Sequence, residues 1–114
     1  MLHPKKPIHS PPGPISQSAR RKRVVAAGWY DCPQYYDLAF RSETLPEADF
    51  IEAACRKYCG FPVRHLLEPA CGTGRLVAEL AHRGYRVTGF DLSRPSLAYL
   101  RRRLARRKLQ ATVF

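Results

Sequence analysis

Between residues 63 and 93 the spacing of apolar and polar positions changes period twice. Residues 63–67 form a short run rich in branched apolar side chains that stops at Glu68, as a strand does. Small residues follow through Gly74, after which Leu76, Val77, Leu80 and Ala81 recur at helical spacing. Gly84 is placed to close that helix in a left-handed conformation, and residues 85–90 read as a second strand ending at Asp91. The pattern predicts a β-α-β unit with parallel strands and a right-handed crossover. Glu68 and Asp91 then emerge at one carboxyl edge, where open α/β sheets bind their ligands.

The flanking pattern extends this unit on both sides. Ser42 or Thr44 can cap a helix with Pro46 and Glu47 in its first turn, and Phe50, Ile51, Ala54 and Tyr58 recur along it. Gly60 and Pro62 end that helix, which is expected to cover one face of the sheet. Beyond Asp91, Ser93 caps a helix with Pro95 near its start; Leu97, Leu100 and Leu104 form its buried stripe and its arginines are expected to face water. Residues 109–114 begin a third strand. The predicted class is α/β, a Rossmann-like doubly wound parallel sheet truncated after the third strand. The switch point of such a sheet lies beyond the strands present, so the chain is expected to hold one half of a ligand site without the other.

Composition changes the picture at the N-terminus. Residues 1–28 contain five prolines and several serines but no acid, which predicts a disordered basic arm and leaves residues 29–114 as the folded part. Twenty Lys and Arg against nine Asp and Glu give a net charge of +11. The excess falls in two blocks, Lys5 to Arg23 and Arg94 to Lys108, so non-specific nucleic-acid binding at low salt is a further expectation. No apolar stretch is long enough for a secretory signal or a bilayer span, and the cytoplasm is the default location. Cys32, Cys55, Cys59 and Cys71 lack zinc-site spacing and are expected to be reduced thiols. Tyr30, Tyr35, Tyr36 and Phe40 make the region before residue 41 the most aromatic part of the chain, dense enough to seal a small core or to cover a ligand.

The turn from Glu68 to Arg75 carries the candidate chemistry. Gly72 and Gly74 leave no side chain between main chain and ligand, and the following helix points its N–H groups and positive dipole end at the same place. A phosphate-binding P-loop is excluded, because Gly74 is followed by Arg75 and Leu76 rather than by Lys and Ser or Thr. The dinucleotide fingerprint needs a small residue where Val77 stands, which weakens an NAD or FAD reading without removing it. A basic nucleic-acid-binding module with a merely structural glycine loop is the alternative from another class.

Glu68-x-Ala70-x-Gly72-x-Gly74, with Asp91 closing Gly89-Phe90-Asp91-Leu92-Ser93, resembles the first two motifs of class I S-adenosylmethionine-dependent methyltransferases. Ala70 stands where that family's first glycine does. The resemblance covers roughly residues 30–114 and implies S-adenosylmethionine as cofactor. It implies that Gly72 and Gly74 pass close to the methionine part, Glu68 holds its ammonium group, Asp91 accepts the ribose hydroxyls and Leu92 packs on the adenine. Tyr36, and with it Tyr35 and Arg41, would belong to a lid over the cofactor. The catalytic residues and the methyl acceptor are not identifiable, since His65 and His82 carry no triad or metal spacing. The isolated chain is expected not to catalyse transfer.

Overall fold

A computed structural model describes residues 28–114. The expected arm, apart from Gly28, lies outside the described residues. Four helices and three strands follow in the order α1 (Pro33–Phe40), α2 (Thr44–Tyr58), β1 (His65–Pro69), α3 (Arg75–His82), β2 (Arg86–Phe90), α4 (Arg94–Arg107) and β3 (Thr112–Val113). Short 3-10 turns at Trp29–Asp31 and Arg41–Glu43 precede α1 and join α1 to α2.

The strands form one parallel sheet in the order β1-β2-β3. Its register sets Glu68 beside Gly89 and Pro69 beside Phe90, so Asp91 follows directly at the carboxyl edge as the pattern predicts. Both outer strands are displaced from expectation. β1 begins at His65 rather than at residue 63, and β3 is confined to Thr112–Val113. Pairing explains the shift at β1, because its first partner on β2 is Arg86.

The core lies between the sheet and helices α3 and α4. Val77, Ala78 and Leu80 of α3, Val87 of β2, and Leu97, Leu100 and Leu104 of α4 are buried together, with Cys71 and Ala48. Ser93 caps α4 through its hydroxyl, which accepts from the Ser96 N–H, and Pro95 stands in the first turn. The leucine stripe is as the spacing predicts. The arginines of α4 are not uniformly outward, however, because the Arg103 side chain is only 15% exposed.

Helix α2 departs further from expectation. Neither Ser42 nor Thr44 caps it; the 3-10 turn runs straight into it with no side-chain cap. Ala48 is fully buried and Ile51 packs on the core, while Phe50 and Tyr58 are 73% and 75% exposed. α2 packs chiefly on α3. Arg83 fixes that contact, donating to Asp49, Glu52 and Glu79 at 2.7–2.9 Å, and the Tyr85 hydroxyl donates to Glu52 at 3.0 Å. Polar groups therefore set the rotation of α2, which apolar spacing alone does not reveal.

Candidate functional site

Backbone geometry at the turn between β1 and α3 is unusual at three residues. Ala70, Gly72 and Gly74 all have positive φ, at 51°, 57° and 73°. Alternating left-handed residues coil the chain tightly, and such a conformation is open to glycine and strained for alanine. Gly74 is required twice over, since a Cβ there would lie 1.9 Å from Leu100 Cδ1. At Gly72 a Cβ would meet only Tyr36, at 3.9 Å, so no side chain other than the Tyr36 ring of α1 covers this residue.

Gly89 supplies a close approach that the sequence pattern assigned to the helix. A Cβ at this residue of β2 would sit 3.0 Å from Cys71 Sγ and 3.1 Å from Val77 Cγ2. The strand, rather than the third glycine of a dinucleotide fingerprint, thus makes room for Val77 and lets α3 settle on the sheet.

The two acids at the carboxyl edge differ in state. Asp91 is braced by main chain: Oδ2 accepts from the Gly72 N–H and Oδ1 from the Ser93 N–H, both at 2.7 Å. Each oxygen keeps a free lone pair, so a fixed carboxylate still presents acceptors. Ser93, not Asp91, is the cap of α4. Glu68 is the opposite case, for its Oε2 is buried without a hydrogen-bond partner among the described residues. Burial raises its carboxyl to about 7 against the lowering influence of Arg75. An acid left half charged and unpartnered beside open glycine backbone is prepared for a cationic ligand.

Cys71 lies between them, and burial together with Glu68 and Asp91 pushes its thiol up to about 11. It is a neutral packing group. All four cysteines are free.

Helix α1 rests on this loop. Tyr36 packs against Tyr30 and Phe40, with ring centroids 5.9 and 4.8 Å apart, and the Tyr30 carbonyl accepts from the hydroxyls of Ser93 and Ser96 at the start of α4. Asp37 is 1% exposed and accepts from Arg103, from Arg41 at 3.3 Å and from the Thr73 hydroxyl at 3.4 Å. Arg103 also donates to the Thr73 carbonyl at 3.1 Å. Burial acts against the Asp37 charge, but the guanidiniums of Arg103 and Arg41 outweigh it and hold the carboxyl below its ordinary range. One buried ion-pair network therefore joins the aromatic helix, the glycine loop and α4.

Comparison with known proteins bears on this arrangement. Residues 66–114 match the family model described as a methyltransferase domain. The match covers 49 of the 114 residues and runs from β1 to the end of β3. A S-adenosylmethionine-dependent methyltransferase from Clostridium acetobutylicum shares the fold at 23% identity with a TM-score of 0.56, over 70% of this chain and 35% of that one. Magnesium protoporphyrin IX methyltransferase from Synechocystis, solved with bound SAH, shares it at 22% identity and 0.53, over 66% and 36%. A TehB-like S-adenosylmethionine-dependent methyltransferase from Corynebacterium glutamicum does so at 22% and 0.51, over 72% and 43%. At these identities the likeness is one of fold. The chain spans 35% to 43% of the length of those structures. No curated protein matches the sequence.

In this segment the expected residues lie close together. Glu68, Ala70, Gly72, Gly74, Asp91 and Leu92 stand at one sheet edge, with Tyr36 facing Gly72 from α1 and Leu92 fully exposed. Arg41 pairs with Asp37 instead of facing the glycines alone. Sequence reasoning missed Asp37, Thr73 and Arg103. Position 103 lies three beyond Leu100 and one before Leu104, so a helical projection of α4 would have placed it beside the buried stripe. Among the described residues no helix is long and apolar enough to cross a membrane.

Proposed function

We propose that this segment binds S-adenosylmethionine across the carboxyl ends of β1 and β2, as part of an enzyme that transfers its methyl group. The observation that carries the reading is Glu68 Oε2, a buried carboxylate oxygen without a partner beside the open backbone at Gly72. The cofactor is a cation with an ammonium group, two ribose hydroxyls and an apolar adenine, and each has a matching residue type here. Glu68 holds the ammonium, Asp91 accepts the hydroxyls with its remaining lone pairs, and Leu92 covers the adenine. Gly72 and Gly74 admit the methionine part, Ala70 shapes the turn and Tyr36 closes it from above.

The sulfonium supplies an activated methyl group, so the protein's part is to orient it for in-line displacement by a nucleophile. Asp91 is already fixed by two main-chain donors, which suits that role. Isothermal titration of S-adenosylmethionine and of NAD separates the two cofactor readings. Saturable binding of S-adenosylmethionine, weakened about 10-fold or more in Glu68→Gln, is the expected result. Binding of NAD alone would refute the proposal.

A further inference from the structure

On the far side of the Asp37 network lies a cavity of about 220 Å³ lined by Asp37, Arg41, Thr44, Arg75, Arg103 and Arg107. Four guanidiniums face a single carboxylate there. Glu47 reaches Arg75 at 3.4 Å, which still leaves more positive than negative charge around the space. We propose that this cavity is a binding site for a phosphate group, gripped by Arg41 and Arg107 against a fixed wall formed by Arg75 and Arg103.

The wall is built. Arg75 is 12% exposed and donates to the Phe40 carbonyl and the Thr44 hydroxyl, each at 3.0 Å. Arg103 is held by Asp37 and by the Thr73 carbonyl. These two guanidiniums contribute field and shape, Arg75 with three and Arg103 with two of their five donors already committed. The other two retain more. Arg41 spends one nitrogen on Asp37, and its side chain is 69% exposed. Arg107 lies in the last turn of α4, exposed and with no acid partner among the described residues. A guanidinium carries five N–H donors in a rigid fork, so the pair offers more than one fork to a single guest. A carboxylate is satisfied by one fork, whereas a phosphate has the oxygens and the charge for two. The space is smaller than the ~300–1,000 Å³ of pockets that enclose whole small ligands, which fits a phosphoryl group attached to something larger.

The charge continues outward along α4, which contains no acid, through Arg101, Arg102, Arg106 and the adjoining Lys108, all exposed. The phosphate can therefore belong to a nucleic-acid backbone lying on α4 or to a small phosphorylated compound. The proposal does not depend on methyl transfer.

The test titrates the full chain at low salt with inorganic phosphate and, separately, with a short single-stranded RNA. Three double variants are compared, with thermal melts to confirm folding: Arg41→Ala with Arg107→Ala, Arg64→Ala with Arg86→Ala, both exposed and belonging neither to the cavity nor to α4, and Arg41→Lys with Arg107→Lys. The first is expected to lose phosphate affinity about tenfold or more, because charge-assisted hydrogen bonds are removed. The second removes equal charge outside the cavity and is expected to keep affinity within about twofold. The lysine pair keeps charge without the fork and should fall between them. A parallel loss of RNA affinity in the first variant assigns the phosphate to a nucleic-acid backbone, and its absence assigns it to a small ligand; both support the site. Equal losses in the two alanine pairs, or no saturable phosphate binding by the unaltered chain, overturn it.

Discussion

Glu68 and Asp91 show how two carboxylates at one sheet edge acquire different properties. Asp91 receives two main-chain N–H groups, whereas Glu68 is buried with an Oε2 that accepts no hydrogen bond among the described residues. The pH behaviour follows from the raised Glu68 carboxyl, near 7 in the fold and at its ordinary lower value when unfolded. Between those values the folded state holds a proton that the unfolded state has lost, so stability contributed by this site falls as pH rises through the window. Cofactor affinity should move the other way, because an ammonium prefers the carboxylate. Titrations spanning about one pH unit either side of neutrality should show affinity rising with pH, and Glu68→Gln should flatten the profile; an unchanged slope would remove Glu68 from the contact. Asp91→Asn should weaken cofactor binding about 10- to 150-fold through lost charged hydrogen bonds. It also loosens the Gly72 loop, so a melt of the same variant separates loss of contact from loss of shape. Ala70 is strained at φ 51°. Since the left-handed conformation costs ~1–2 kcal/mol and glycine gains ~0.4–1 kcal/mol of unfolded-state entropy, Ala70→Gly should stabilise by about 0.5–1 kcal/mol in urea unfolding. Most of these residues were legible in the sequence because their types are dictated locally, by a turn that needs positive φ and by strands that end in acids. Their protonation and partners were not, because both depend on which neighbours the fold delivers.

At the scale of elements, the glycine loop is clamped from three directions. Leu100 fills the space that a side chain at Gly74 would occupy, Val77 seats against Gly89, and Asp37 ties α1 to Thr73 and Arg103. The β-α-β unit and α4 were readable because their apolar periods are strong and their ends carry glycine, proline or a capping serine. α1 was not, since its stability comes from an ion-pair network with partners 36 and 66 residues away. Periodicity reports which face is apolar. It does not report a buried acid waiting for an arginine two elements later, and the outward turn of Phe50 and Tyr58 on α2 has the same origin in the polar contacts of Arg83. Asp37→Asn tests the clamp. Removing one charge from a buried pair costs about 3–5 kcal/mol, a large part of the ~5–15 kcal/mol that holds a domain together. A pairwise Asp37→Asn with Arg103→Gln exchange should recover part of the loss, because no lone charge then remains buried. Since the Asp37 carboxyl is depressed, its contribution is complete at neutral pH and is lost as pH falls through the folded value, below the usual carboxylate range. Urea unfolding at neutral and acid pH reads both effects, and a double variant whose loss equals the sum of the two single losses would mean that the network is not coupled.

At the scale of the whole molecule, the sheet has an open side. β1 pairs with β2 along one edge, and among the described residues no strand lies along the other. The N–H and C=O groups of that edge flank Leu67, whose side chain is 62% exposed, and Phe61, exposed nearby, adds apolar surface. Such an edge is a template for pairing with another chain, and Pro69 protects only its end. Net charge opposes association at long range, but the charge is concentrated on α4 and in residues 1–27, so salt weakens the repulsion without removing the edge. The expected behaviour of the purified chain is self-association that increases with added salt and with protein concentration. Sedimentation velocity at low and moderate salt measures it. Leu67→Lys places a charge on the edge strand, where natural edges often carry one, and should shift the distribution toward monomer. A Phe50→Lys control alters an equally exposed apolar residue on α2, away from the sheet, and should leave the distribution nearly unchanged. If the control disperses the chain and Leu67→Lys does not, the contact runs through α2 and the open edge of β1 is not the sticking surface.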